Sequence, residues 1–66
     1  MKFYIYSLAS GVVQGGPYDS REEGEADLPR VDRGYRHHRA WVNPNILAVT
    51  VGDEEYKPPV LKLVLT

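Results

Sequence analysis

The sequence predicts a mainly β fold: a small single domain of two antiparallel β-hairpins flanking a charged loop. Three observations predict it. A chain of 66 residues has room for one thin-cored domain. Both ends carry short runs of β-branched and aromatic residues that suit a pleated surface. Between them, from Pro17 to Arg39, only Ala26, Leu28 and Val31 are aliphatic, too few for that segment to build a core by itself. The expected division is an N-terminal hairpin over 1–16, a charged loop over 17–34 and C-terminal strands over 35–66.

The first hairpin begins with KFYIYSL. A period of two puts Phe3, Ile5 and Ser7 on one face and Lys2, Tyr4, Tyr6 and Leu8 on the other. Gly11 in the following ASG tolerates the positive φ that a tight turn needs, and VVQ returns as the antiparallel partner. Gly15, Gly16 and Pro17 are expected to end the hairpin, because glycine weakens a ladder and proline cannot donate to one.

Within the charged segment, Ser20 and Glu23 have the spacing of a capping box. They are the basis of a competing reading as a short helix near residues 20–28, held to about two turns by Gly24 and Pro29. YRHHRAWV fits a period of two, with Tyr35, His37, Arg39 and Trp41 on one face and Arg36, His38, Ala40 and Val42 on the other. Pro44, between two asparagines, breaks that run. ILAVTV is expected as a strand turned by Gly52 and Asp53, and VLKLVLT as a strand covered on both faces. Lys57, Pro58 and Pro59 are expected to keep the loop before it extended.

The net charge of −1 conceals a segregation along the chain. Asp19 to Asp27 holds five acids against Arg21, a net of −4, whereas Arg30 to Arg39 holds four arginines against Asp32, a net of +3. The acidic run can neutralise the basic one by folding back on it or by meeting it in another subunit. Spaced by three, Arg30, Arg33, Arg36 and Arg39 would align if the segment were polyproline II-like, and with aromatics between them they resemble a single-strand nucleic-acid grip. The acidic total argues against nucleic acid as the partner.

Other chemistries lack their residues. Adjacent histidines on a strand point to opposite faces, so His37 and His38 do not share one ion, and no H-x-H, H-E-x-x-H or C-x-x-C spacing occurs. Without cysteine there is neither a disulfide framework nor a thiolate metal site. No serine sits on a Gly-x-Ser-x-Gly turn, and Gly15-Gly16-Pro17 lacks the lysine and helix of a phosphate loop. The expectation is a non-enzyme with no metal and no cofactor. The apolar start breaks off too early for a signal peptide, and no run reaches the roughly 20 apolar residues of a bilayer span. No membrane partner is expected, and the chain is read as made inside a cell.

What remains is binding. Trp41, Tyr35 and the arginines are the residue types that anchor protein interfaces, so Arg33, Tyr35, Arg36, Arg39 and Trp41 form the expected partner-binding set. Trp41 is equally suited to be the largest core side chain. Both terminal strands also suit pairing by edge addition.

The opening MKFYIYSLASGVVQGG resembles the start of small proteins encoded among the structural and tail genes of tailed bacteriophages, and DEEYKPPVLKL is similar to their proline-containing C-terminal ends. The resemblance covers about the first 16 residues and the last dozen; the centre departs from it. It implies a non-enzymatic virion component, such as a capsid decoration protein or a tail or baseplate accessory, found in the virion or in the host cytoplasm before assembly. Its expected partner is a larger viral structural protein, within an oligomer or assembly. Phage-encoded inhibitors of host defence, including anti-CRISPR proteins, share the size and lack of cysteine, and would take a host protein as partner.

Overall fold

In the computed structural model, which describes residues 1–39 and 48–58, three strands and one helix follow one another. They are β1 (Phe3–Ser7), β2 (Val13–Tyr18), α1 (Arg21–Arg39) and β3 (Val49–Asp53). The strands form one antiparallel sheet in the order β2-β1-β3. Among the described residues the fold is thus a three-stranded antiparallel sheet with one long helix, so the expected mainly β fold holds only in part, and a helix stands where the charged loop was expected.

The first hairpin forms as its alternation requires. Gly11 takes φ +75° in the turn, and its N–H donates to the Ser7 carbonyl at 2.8 Å, while Ser7 N–H donates to the Val12 carbonyl at 2.8 Å. Gly15, Gly16 and Pro17 do not end the hairpin but lie inside β2. They are tolerated there because β2 is an edge strand among the described residues, where the missing Pro17 N–H costs no ladder bond. The pairing Phe3↔Tyr18, Ile5↔Gly15, Tyr6↔Val13 places extra β2 residues at two irregularities. Gly16 takes φ +110°, and a Cβ there would come within 2.9 Å of the Phe3 carbonyl oxygen.

The larger correction concerns the middle. The expected charged loop over 17–34 and the period-two strand from Tyr35 are instead one helix of 19 residues, through to Arg39. Its start was legible: Ser20 Oγ accepts from Glu23 N–H at 3.2 Å, and the Glu23 carboxylate accepts from Asp19 N–H at 2.9 Å. Neither Gly24 nor Pro29 stops it. Gly24 is buried where α1 crosses the sheet, and a Cβ there would stand 3.0 Å from Val51 Cγ1. Pro29 is on the exposed side of the helix, away from the packing of α1 on the sheet.

Gly24, Leu28, Val31 and Tyr35 recur at intervals of four, three and four residues, the stripe by which a helix docks. Acids in the first turn and arginines toward the end suit the helix dipole. The same segregation that suggested a loop thus stabilises a helix.

Packing places the core between α1 and one face of β1. Ile5 and Ser7 are 0 % exposed, and the guanidinium of Arg21 lies over the Phe3 ring, 5.3 Å from its centroid. Ala48, Val51 and, on the other face of the sheet, Tyr6 complete the buried apolar set among the described residues. On the opposite face, Tyr6 stands 6.2 Å from Tyr4 and 5.7 Å from Tyr56, centroid to centroid. Gly52 and Asp53 do not turn the chain: both belong to β3, and Glu54–Glu55 make the turn. Asp53 organises it by accepting from Glu55 N–H at 3.0 Å through its side chain and from Tyr56 N–H at 2.9 Å through its carbonyl. The Tyr56 ring then lies where a side chain on Gly52 would be, which is why residue 52 needs to be glycine. The expected VLKLVLT strand and the Pro44 break lie outside the described residues.

Candidate protein-binding surface

Helical geometry decides what the basic segment presents. On an α-helix a step of three residues falls about 60° short of a full turn, so Arg30, Arg33 and Arg36 wind around α1 instead of forming one edge. Two of them are occupied. Asp27 receives Arg30 through two hydrogen bonds of 2.6 Å, and Asp32 receives Arg36 Nε at 3.1 and 3.0 Å. Arg33 is exposed on the side of α1 away from the sheet.

Asp27 is the junction of helix and sheet. Besides Arg30 it accepts a 2.6 Å hydrogen bond from the hydroxyl of Tyr18 on β2. The Arg30 guanidinium first, and the Tyr18 hydroxyl second, hold its carboxyl down to about 2. Asp27 in turn raises Arg30, and Tyr18 is raised by burial and by its bond to Asp27. This network fixes the end of β2 to the middle of α1.

A second tie lies toward the other end of the helix. Tyr35 and the fully buried Ser7 share a hydrogen bond of 2.9 Å between their hydroxyls. Ser7 Oγ also accepts from Ser10 N–H at 3.3 Å. These bonds satisfy a polar group that would be costly to bury alone. Tyr35 thus spends its hydroxyl on the fold, and its ring borders a cleft.

That cleft, about 390 Å³, runs between β2 and the C-terminal half of α1; Gln14, Arg30, Val31, Gly34, Tyr35 and His38 line it. Beside it, Val12 just before β2 and Val13 at its start are 57 % and 48 % exposed. With Met1 they are the exposed large apolar side chains among the described residues. Val13 pairs with Tyr6, on the sheet face away from α1, and Gln14 lines the cleft. A segment laid along this edge would meet apolar surface on one side and a polar-rimmed groove on the other. A second cleft of about 380 Å³ on the other flank of α1 is bordered by Leu28, Asp32, Arg36 and Val49, among others.

Of the expected partner-binding residues, the three whose side chains the structure describes, Arg33, Tyr35 and Arg36, point in different directions from α1. Arg33 faces outward, Tyr35 is turned toward the sheet, Arg36 borders the second cleft, and Arg39 is the last residue of α1. Trp41 lies outside the described residues. Val12, Val13 and Gln14, exposed or lining the cleft, are not among the residues that the sequence singles out. Their signal was two adjacent valines in a short returning strand, one of which has to lie on each face.

His37 and His38 stand edge to face with centroids 5.8 Å apart, both exposed. Among the described residues no group of three or more His, Asp or Glu side chains is placed to hold a metal ion. No helix among them is long and apolar enough to cross a membrane. No protein family, characterised protein or solved structure matches this chain.

Proposed function

We propose that this chain is a non-enzymatic protein-binding component that adds to a larger assembly through the edge of β2, which is unpaired among the described residues, and the adjoining cleft. The observation that carries the reading is the pair of exposed valines, Val12 and Val13, at the start of an edge strand. Edge strands offer unpaired backbone donors and acceptors, and apolar side chains beside them add contact area. Pro17 and the irregular pairing at Gly15 confine strand addition to the first half of β2, which suits one specific short segment better than open-ended stacking.

A protein partner fits the charge pattern better than nucleic acid does. Arg30 and Arg36 are paired with Asp27 and Asp32, and Glu22, Glu23 and Glu25 share the same helix. A strand of phosphates would meet as many carboxylates as free guanidinium groups.

The assembly we propose is a tailed-phage virion, with the chain as a capsid decoration or a tail or baseplate accessory; the support for this is the resemblance of the two termini. Mass spectrometry of purified particles tests it: the chain should be present at a constant ratio to a major structural protein. Its absence from particles would overturn the virion role.

A further inference from the structure

The outward face of α1 carries a symmetry of its own. Glu22, Ala26, Pro29 and Arg33 follow one another at intervals of four, three and four residues, and all four are exposed. On a helix of about 100° per residue they form one stripe, about 180° from the Gly24, Leu28, Val31 and Tyr35 stripe that faces the sheet. The pattern is palindromic about a point between Asp27 and Leu28. A two-fold axis there would bring Glu22 of one copy against Arg33 of the other, and Ala26 against Pro29, each contact made twice.

We propose that two copies of this chain associate through antiparallel packing of their α1 helices, with reciprocal Glu22–Arg33 pairs at the ends of the contact and Ala26 and Pro29 at its centre. Charge complementarity selects a second copy as the occupant. Within one copy Glu22 and Arg33 stand eleven residues apart along α1, about 16 Å at 1.5 Å per residue, so these two cannot pair with each other although Asp27 reaches Arg30. Among the described residues neither Glu22 nor Arg33 has an ion-pair or hydrogen-bond partner, whereas Asp27, Arg30, Asp32 and Arg36 are already paired. An isologous contact needs a surface complementary to itself, and acid at one end with base at the other supplies it only in the antiparallel sense. Ala26 and Pro29 project little, so the helix axes can approach closely enough for the end charges to meet. The contact is polar and small, so the expected association is weak, favoured at low ionic strength and lost as salt screens the pairs. It uses the side of α1 opposite the sheet and does not depend on the β2 edge.

Sedimentation velocity across a concentration series at low salt tests this, with circular dichroism confirming that each variant is folded. The wild type should dimerise, and raised salt should weaken the dimer. Arg33→Glu and Glu22→Arg should each weaken self-association at least about tenfold, because each converts both pairs into like-charge contacts. Mixed in equal amounts, the two variants should form a heterodimer. The arginine introduced at position 22 of one copy then meets the glutamate introduced at position 33 of the other, while the native Glu22 and Arg33 pair on the second side. A wild type that stays monomeric throughout, variants that dimerise as well as the wild type, or a mixture with no heterodimer would each overturn the proposal.

Discussion

The Tyr18 hydroxyl donates a 2.6 Å hydrogen bond to Asp27, across from the edge strand to the helix, on the same carboxylate that Arg30 grips with two bonds. One acidic side chain therefore links the strand that carries the exposed valines to the helix that forms the other wall of the cleft.

Acid should loosen this link in a defined window. The Asp27 carboxyl is held at about 2 in the fold, below its ordinary 3.8, so the unfolded chain takes up the proton first as pH falls. Its stabilising contribution is then full above about pH 4 and is lost as pH drops through about 2. Asp27→Asn should lower the urea midpoint at neutral pH and flatten its decline between pH 4 and 2. The slope left over should come chiefly from Asp19, which Lys2 holds below its ordinary value. An unchanged acid profile in Asp27→Asn would mean that the junction contributes nothing.

Removing one oxygen at the other tie should cost about 1 kcal/mol, the usual worth of a hydrogen bond whose partner stays buried. Tyr35→Phe keeps the ring beside the cleft but deprives Ser7 Oγ of its 2.9 Å partner. Urea denaturation followed by circular dichroism should show the loss with an unchanged m-value. A neutral result would place the Ser7 hydroxyl in water.

Two glycines on one helix should respond in opposite directions to the same change. Gly34 has open space around the position of a Cβ, so Gly34→Ala should raise stability by up to about 1 kcal/mol through helix propensity. At Gly24 a Cβ meets Val51 Cγ1 at 3.0 Å, and Val51 is 7 % exposed with a β-branched side chain that has little freedom to move aside. Gly24→Ala should therefore lower the thermal midpoint even though alanine is the better helix former. If both raised it, the close packing of α1 on β3 would be wrong.

The strands were more legible than the helix, for physical reasons. Alternation in KFYIYSL and the glycine after Ser10 identify β1 and its turn, because a strand's pattern repeats within a few residues. The helix hid because its docking stripe contains only two aliphatics, Leu28 and Val31, completed by a glycine and a tyrosine that a count of aliphatics leaves out. Gly24 and Pro29 count as breakers only when they face the wrong way. One is needed for close approach to Val51, and the other lies outward. Ser20 and Glu23 mark the start of α1 correctly; Gly24 and Pro29 are the two residues that argue against a long helix. The candidate surface is hidden for another reason: the arginine spacing implies an aligned row only on an extended chain, whereas on α1 Asp27 and Asp32 sit one turn from Arg30 and Arg36 and neutralise them.

If the chain joins its partner by the edge of β2, surface changes at that edge should abolish incorporation and leave the fold intact. The direct measurement is quantitative mass spectrometry of particles assembled with the wild type or with the Val12→Lys/Val13→Lys variant, the variant's fold being confirmed by circular dichroism. Lysine at an edge strand blocks pairing with another chain, and both positions are largely exposed. The expected result is wild-type chain at a constant ratio to a major structural protein, and a loss of at least about tenfold for the variant. Incorporation of the folded variant at the wild-type level would contradict the β2 edge as the binding surface.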